Sequence, residues 1–274
     1  MKQHYINCNG RLVDLSTPKI MGILNITPDS FSDGGQFNSQ KKALQHTEQM
    51  LKEGATFIDI GAQSTRPNAQ FLSAEEEIKR LGNLISLIKK NFPEALISLD
   101  TFYAEVVRFG HQEGIDLVND VSGGTFDQPM LSAVAHSGLP YILMHSNATY
   151  QNMHQKIQYD DIITHLNFYF SETTAYLKTL GIKDLILDPG FGFGKTIENQ
   201  MQMVEEVGYI GFGEFPILVG ISKKSFIYQP LGKSPHYINA EMQALHLKML
   251  QQGVSILRVH DVAEAQNTIQ MFNS

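Results

Sequence analysis

Residues 184–196, "DLILDPGFGFGKT", begin with an apolar run of strand length and end in a glycine-rich loop. The run is almost continuously apolar, as expected of a strand that is buried on both faces of a parallel sheet. Similar runs recur along the chain, and helical patterns separate them. The eight runs are KIMGILN (19–25), TFIDIG (56–61), ALISLD (95–100), IDLVND (115–120), LPYILMH (139–145), DLILDPG (184–190), PILVGIS (216–222) and SILRVHD (255–261).

The segments between the runs carry helix signals. Ser73 and Glu76 form a capping-box pattern before one helix, and Asp261 and Glu264 repeat it before the last. Several helices are predicted to end at a glycine just before the next strand. These glycines are Gly54, Gly114, Gly138, Gly181 and Gly253.

Eight βα units in about 250 residues predict an α/β fold of the TIM (β/α)8 barrel type. The alternative is a doubly wound open sheet, in which eight such units would be unusual. We expect one domain, in which residues 18–274 form the barrel and residues 1–17 form a hairpin that closes its bottom.

Composition argues against several classes of protein. The 274 residues are 42% hydrophobic, the net charge is −7, and no basic stripe suggests a nucleic-acid partner. Cys8 is the only cysteine, so no disulfide framework can form within the chain. The apolar runs are too short to cross a membrane, and the start "MKQHYINCNG" lacks the apolar core of a signal peptide. We therefore expect a cytoplasmic protein without membrane partners.

The glycine-rich loop matches neither common phosphate-binding pattern. A P-loop requires glycine where Pro189 stands, and the dinucleotide pattern requires glycine where Lys195 stands. A tight strand-to-helix turn is the simpler interpretation, so the loop does not predict a nucleotide site.

The active site of a TIM barrel lies at the C-terminal ends of its strands, and here nearly every end is polar. One such residue is usually a helix cap, but seven converging polar ends predict a site. Arg258 and His260 are two residues apart and share a strand face, so we expect both to point into the barrel mouth. The polar strand ends are Asn25, Asp100, Asn119, Asp120, His145, Asp188, Ser222, Lys223, Lys224, Arg258 and His260.

These residue types divide into two classes. Carboxylates and amides suit the N–H donors of a flat heterocycle, since a carboxylate accepts two parallel hydrogen bonds from an amidine-like edge. That class comprises Asp100, Asn119 and Asp188. Cationic side chains suit phosphate oxygens. That class comprises Arg66, Lys224, Arg258 and His260. The ligand predicted is a nitrogen-rich ring that carries phosphate, and the alternative for each carboxylate is a structural ion pair with one of the cations.

Seven motifs between residues 20 and 265 resemble, in order, those of the dihydropteroate synthases. They are ILNITPDSFSDGG, DIGAQSTRP, SLDTF, LVNDVSGG, LILDPGFGFGKT, LVGISKKSFI and LRVHDV. The resemblance implies a TIM barrel that joins 6-hydroxymethyl-7,8-dihydropterin diphosphate to p-aminobenzoate with Mg²⁺, and so forms 7,8-dihydropteroate and diphosphate in folate biosynthesis. It also implies a homodimer that sulfonamide drugs target.

The resemblance also implies residue roles. Asn25 would help to hold Mg²⁺ beside the diphosphate, and Arg258 and His260 would bind the diphosphate. The residues implied to bind the pterin are Asp100, Asn119, Met144, Asp188, Phe193 and Lys224. Those implied to cover the arylamine site are Asp33, Thr65 and Arg66. The expected catalytic residues are Asp33, Arg66, Lys224 and His260.

The sequence departs from the family pattern at several loop positions. Gln63 stands where the second loop usually has glutamate, and Lys223 where arginine usually follows the seventh strand. Ala148 and Tyr150 lie where the fifth loop usually has glycine and proline, and the usual acidic–arginine pair near "LGKSPHYINAEM" is missing. These changes affect loops and leave the pterin and diphosphate positions intact.

Two other functions fit a pterin-binding barrel. A methyltransferase would pass a methyl group from a folate to a corrinoid, but such a site needs no cationic cluster for diphosphate. A non-catalytic pterin-binding relative would not need Asn25, Arg66, Lys224 and His260 together. Formation of dihydropteroate from the two substrates and Mg²⁺ distinguishes all three.

Overall fold

The computed structural model describes residues 4–26, 35–63, 72–146 and 155–274, without the side chains of residues 35–39. A hairpin of β1 (Tyr5–Cys8) and β2 (Arg11–Asp14) precedes the barrel. The barrel strands are β3 (Lys19–Asn25), β4 (Phe57–Gly61), β5 (Leu96–Asp100), β6 (Leu117–Asp120), β7 (Tyr141–Met144), β8 (Leu185–Asp188), β9 (Leu218–Val219) and β10 (Ile256–Val259).

Helices connect the strands and surround them. They are α1 (Gly35–Lys52), α2 (Ala74–Leu81), α3 (Leu84–Asn91), α4 (Ala104–Glu113), α5 (Met130–Ser137), α6 (Ile162–Thr179), α7 (Ile197–Glu206), α8 (Ser225–Tyr228), α9 (Asn239–Gln251) and α10 (Val262–Asn273), with a 3-10 segment at Val207–Gly213. None of the helices in the described ranges has the length and apolarity that a bilayer span requires.

The eight strands form one parallel sheet in the order β8-β7-β6-β5-β4-β3-β10-β9. Its two edges meet, because Leu187 forms a parallel bridge with Ile217 and its amide donates to the carbonyl of Pro216 at 3.0 Å. The TIM barrel predicted from the alternating runs is confirmed. The alternative of an open sheet is wrong, because β8 and β9 join.

The N-terminal hairpin packs against the bottom of the barrel, as predicted. Ile6, Cys8, Val13 and Leu15 form one buried apolar cluster with residues from inside the barrel. Each barrel strand contributes one side chain to this cluster: Met21, Phe57, Leu96, Leu117, Ile142, Ile186, Leu218 and Ile256. This layer closes the bottom of the barrel, and the opposite end, at the C-terminal ends of the strands, is where TIM barrels bind their ligands.

The helix signals read from the sequence are also confirmed. Ser73 and Glu76 form a reciprocal capping box at α2, and the Asp261 side chain accepts the amide of Glu264 at α10. All five glycines expected to end helices have positive φ, between 67° and 107°. The glycines let these five helices end at a defined point, after which the chain turns towards the next strand.

Candidate active site

Neighbouring strands bring three predicted residues to one level at the barrel mouth. In the sheet register Asn25 lies opposite Gly61, Gly61 opposite Asp100, and Asp100 opposite Asn119. A Cβ atom at Gly61 would lie 3.7 Å from Asn25 Oδ1 and 3.5 Å from Asp100 Oδ2. Because glycine leaves that position open, the amide of Asn25 and the carboxylate of Asp100 face the same small space.

Arg258 joins two carboxylates across the mouth. Its Nε donates to Asp59 Oδ2 and its Nη2 donates to Asp100 Oδ2, each at 2.7 Å. Asp59 is fully buried and also accepts from Ser98 Oγ at 2.5 Å and from Asn119 Nδ2 at 3.2 Å. Charge-assisted bonds to two partners fix the plane of the guanidinium. The ion-pair alternative therefore holds for Asp100, and the two residue classes inferred from the sequence form a single network.

Asp59 is a site residue that the sequence reasoning missed. The signal was present, because Asp59 is the one acidic residue inside the apolar run "TFIDIG". A carboxylate in a buried strand requires a charged or hydrogen-bonding partner. The sequence alone did not indicate that this partner is Arg258.

Asp188 and Lys224 lie close to Asp100 and Arg258, and we call these four charged residues the polar floor of the mouth. Asp188 Oδ1 accepts the amide of Gly190 at 2.7 Å, and Lys224 Nζ lies 4.4 Å from the centroid of the Phe193 ring. Burial raises the pKa of Asp188 and lowers the pKa of Lys224 to about 8. Burial also raises the pKa of Asp100, whereas the adjacent Arg258 lowers it. Opposed shifts of acids and bases in one cleft are typical of a functional site.

An apolar wall lies beside these charges. Phe102, Val121, Met144 and Phe193 form a small buried cluster that is separate from the main core. Met144 and Phe193 were both predicted to line the ring pocket, and the structure brings them together. A flat ring that contacts this wall would present its edge to the polar floor.

Two of the three glycines of "DPGFGFGKT" are required by contacts within the protein. A Cβ atom at Gly190 would lie 2.0 Å from the carbonyl oxygen of His145, and one at Gly192 would lie 2.7 Å from Lys224 Cδ. Both residues also have positive φ, 72° and 84°. The loop sequence predicts no nucleotide cradle, and these contacts show why the loop needs glycine at both positions.

Lys195 holds this loop through hydrogen bonds to backbone carbonyl oxygens. It is 2% exposed, and its Nζ donates to the carbonyl oxygens of His145 (3.2 Å), Gly190 (3.0 Å) and Phe193 (3.1 Å). The three N–H donors of an ammonium group thus meet three acceptors. Lys195 therefore anchors the loop that carries Gly190 and Phe193 to the end of β7.

His260 lies at the outer edge of the mouth. Arg258 is part of strand β10, whereas His260 is the first residue after it. Its Nδ1 is 3.0 Å from Ser222 Oγ, and its side chain is exposed. Strand β10 ends at Val259, so the alternation of side chains no longer determines where His260 points. The expectation that both side chains point into the mouth therefore stays a prediction for His260.

Two polar strand ends do not belong to the site. Asp120 accepts from Tyr141 Oη and from the amides of Ser122 and Gly124, so its carboxylate holds the loop after β6. His145 pairs with His165 of α6 at 3.1 Å, and burial lowers its pKa well below the usual range. Successive strand residues face opposite sides of the sheet, so one residue of each adjacent pair must face the helices.

The family comparison agrees with this geometry. The model of the pterin binding enzyme family matches residues 21–260. The dihydropteroate synthase of Escherichia coli (strain K12) is 40% identical over 265 residues, which are 96% of this chain and 93% of that protein. The chain belongs to the dihydropteroate synthase family.

Solved structures of family members have the same fold. Dihydropteroate synthase from Xanthomonas albilineans with 4-aminobenzoic acid superposes with a TM-score of 0.90 at 33% identity, covering 99% of this chain and 98% of that one. The Yersinia pestis dihydropteroate synthase in a sulfonamide complex gives a TM-score of 0.90 at 38% identity, covering 98% of both chains.

Three residues expected for a dihydropteroate synthase lie outside the described residues. These are Asp33 of the first loop and Thr65 and Arg66 of the second. Their roles, like those of the residues at the mouth, stay predictions. The second loop leaves the barrel at Gln63, which is described and is buried beside Glu77.

Proposed function

We propose that this chain is a dihydropteroate synthase, which joins 6-hydroxymethyl-7,8-dihydropterin diphosphate to p-aminobenzoate and releases diphosphate. The observation that carries the proposal is the match to the Escherichia coli enzyme over 96% of the chain. The acids, amide and cations at the mouth support it independently, because they suit the two ends of that substrate.

The pterin would bind in the floor of the mouth. Asp100, Asn119 and Asp188 would meet the N–H groups of the ring edge, and Lys224 would donate to a ring acceptor. Met144 and Phe193 supply the apolar wall for the ring. The raised pKa of Asp188 and the lowered pKa of Lys224 support this placement. Each group is unfavourable as a lone buried charge and gains from a ligand of opposite polarity.

The diphosphate would lie towards the outer edge, where His260 and Arg258 line the mouth. Ser222 orients the His260 ring through the 3.0 Å contact to Nδ1. The Arg258 guanidinium, held by Asp59 and Asp100, is placed before substrate arrives. Such preorganised cations stabilise the charge that develops on the departing oxygens.

Mg²⁺ is the proposed cofactor, with Asn25 as its protein ligand. Asn25 Oδ1 is an oxygen donor at the mouth, and oxygen is the donor that Mg²⁺ prefers. Mg²⁺ commonly binds through one or two protein oxygens together with substrate phosphates and water. When bound, the ion would supply positive charge next to the leaving diphosphate.

The bond from the exocyclic methylene carbon to the diphosphate oxygen would break as the dihydropterin ring releases electron density to that carbon. The arylamine nitrogen would then attack the carbon and release one of its N–H protons to solvent, while diphosphate keeps the electron pair of the broken bond. No base with a special pKa is needed, because a neutral aniline nitrogen is already nucleophilic. The chain contributes by holding both substrates in line and by stabilising the leaving group. Asp33, Thr65 and Arg66 would border the arylamine, and sulfonamides would compete for that place.

We further propose that the enzyme is a homodimer, which the family resemblance implies. Sedimentation velocity should then give about twice the mass of the 30.7 kDa chain.

The decisive experiment is an assay of the purified protein with the two substrates and Mg²⁺. We expect dihydropteroate and diphosphate in equal amounts, and loss of turnover in EDTA that added Mg²⁺ restores. Full activity in EDTA would remove the metal role alone. No product from the authentic substrates would overturn the assignment, and pterin binding without turnover would favour a non-catalytic relative.

A further inference from the structure

A buried histidine of α9 lies close to Ser222, the residue that contacts the His260 ring. His246 is 4% exposed, and its Nε2 has no hydrogen-bond partner among the described residues. Burial lowers the pKa of His246 to about 4, so the ring is neutral near pH 7. A neutral ring nitrogen still donates or accepts a hydrogen bond, and burying it without a partner costs free energy. Packing of α9 alone therefore does not explain a histidine at this position.

His246 and Ser222 line one small cavity between α9, α10 and the chain that leaves strands β9 and β10. The space that is open to the centre of a water molecule is about 10 Å³, which is room for a single water. The other polar residues around the cavity are Gln243, Asp261, Glu264 and Thr268. Two of them already have partners in α10, because Asp261 Oδ1 accepts the amide of Glu264 at 3.0 Å and Thr268 Oγ1 donates to the Glu264 carbonyl at 2.9 Å. The cavity is thus polar and of the right size for one bound water.

The Ser222 hydroxyl retains one hydrogen-bonding position after its contacts with His260 are counted. Its Oγ accepts the amide of His260 at 3.3 Å and lies 3.0 Å from the ring Nδ1. A hydroxyl group offers one donor and two acceptor positions, so one position remains whichever group donates in the contact with Nδ1. Because a water molecule can donate or accept, it fits the remaining position in either case.

We propose that the cavity holds one ordered water that joins His246 Nε2 to Ser222 Oγ, and that His246 is thereby a positioning residue for the diphosphate: it fixes the hydroxyl that orients the His260 ring. The inference rests on the proposed function, in which His260 binds the diphosphate. It assigns no contact with substrate to His246 itself. A hydrogen bond through water is nearly as favourable as a direct one, so this connection holds the ring in place before substrate arrives.

A high-resolution crystal structure of the protein tests the water directly. We expect one water within hydrogen-bonding distance of both His246 Nε2 and Ser222 Oγ. His246→Leu should lose this water and should keep or raise the melting temperature, since it replaces a buried polar ring by an apolar side chain. A dry cavity in wild type, or a water that contacts only one of the two atoms, would overturn the inference.

Calorimetry with inorganic diphosphate and Mg²⁺ measures the effect on the site. In His246→Leu we expect the Kd of diphosphate to rise about threefold to tenfold, as for the loss of one hydrogen bond. His246→Gln keeps a donor and an acceptor in the side chain, so its Kd should stay within about twofold of wild type. The matched control is His111→Leu, which removes an exposed histidine from the last turn of α4 and should leave the Kd unchanged.

A double-mutant cycle shows whether Ser222 transmits the effect. Ser222→Ala should weaken diphosphate binding by itself, because the His260 ring loses its partner. Adding His246→Leu to Ser222→Ala should then change the Kd by less than about twofold, since the two residues act through the same contact. A merely structural role of His246 would instead give effects that multiply.

Multiplying effects in the double variant, or an unchanged Kd in His246→Leu, would overturn the inference. Failure of the proposed function is distinguishable from this. A wild type that binds diphosphate and contains the water, yet makes no dihydropteroate, would contradict the proposed function and leave the connection from His246 to His260 in place. A wild type that binds no diphosphate would overturn both.

Discussion

The guanidinium of Arg258 lies 2.7 Å from the carboxylate of Asp100, and the same guanidinium lies 2.7 Å from Asp59. The two carboxylates differ in exposure: 22% of the Asp100 side chain is exposed and none of the Asp59 side chain. Asp100 is therefore the partner that a ligand can reach, and Asp59 is the one that holds the arginine.

This difference in exposure predicts that one conservative change affects mainly stability and the other mainly ligand binding. Asp59→Asn should lower the free energy of unfolding by up to about 3–5 kcal/mol, because it breaks a buried ion pair. Asp100→Asn leaves the buried pair intact and should cost under about 1 kcal/mol, yet it should weaken pterin binding. Denaturant unfolding and pterin calorimetry on both variants provide the check. Equal destabilisation by the two changes would contradict the division of roles.

Asp188→Asn should reduce pterin affinity at least tenfold and leave the fold intact. The asparagine oxygen can still accept the Gly190 amide, which now bonds Asp188 at 2.7 Å. The substitution removes the negative charge, and hydrogen bonds to a charged group contribute about 1.5–3 kcal/mol. Calorimetry and thermal melting separate the outcomes. Unchanged affinity with an unchanged melting temperature would remove Asp188 from the site.

Binding of the pterin diphosphate should take up protons at pH 8. The pKa of Lys224 is lowered by burial to about 8, so about half of the molecules carry a neutral amine at that pH. An anionic ligand favours the charged form and raises this pKa, and affinity should therefore fall as the pH rises above 8. Calorimetry in buffers of different ionisation enthalpy measures the uptake.

Lys224→Met should abolish that proton uptake. The control is Lys183→Met, which changes an exposed lysine just before the start of β8. Uptake that persists in Lys224→Met would assign the proton to another group.

Lys195→Met should destabilise the protein by at least about 2 kcal/mol, since it leaves the carbonyls of His145, Gly190 and Phe193 without their donor. Thermal melting should show a fall of several degrees, whereas Lys183→Met should change the melting temperature by less than one degree. A stable Lys195→Met protein with normal pterin affinity would show that Lys195 does not hold the loop.

Binding of p-aminobenzoate should depend on prior binding of diphosphate and Mg²⁺. The second loop, "GAQSTRPNAQ", offers Arg66 as a cation for the bound anion and Thr65 beside it, so the anion would complete the arylamine site. Titration of p-aminobenzoate with and without diphosphate and Mg²⁺ measures the dependence. Arg66→Ala should remove it and leave pterin binding within about twofold. Collapse of pterin binding instead would place Arg66 in the first site.

Much of the architecture could be predicted from local patterns. Eight apolar runs, the cap at Ser73 and the helix-ending glycines depend on residues within one or two turns of each other, so sequence order alone reveals them. The same patterns placed Asn25, Asp100 and Asp188 at strand ends. Parallel strands in a closed barrel then bring those ends to one mouth.

Tertiary structure decided which polar groups meet. Asp59 and Arg258 are 199 residues apart and Asp100 and Arg258 are 158 apart, so only closure of the barrel brings them into contact. Closure and strand pleat also turned Asp120 and His145 towards the helices, although both stand at polar strand ends. The physical reason is separation along the sequence. Helix capping and side-chain periodicity depend on residues that are near neighbours in the chain. An ion pair between distant residues depends on atoms that only the complete packing brings within bonding distance.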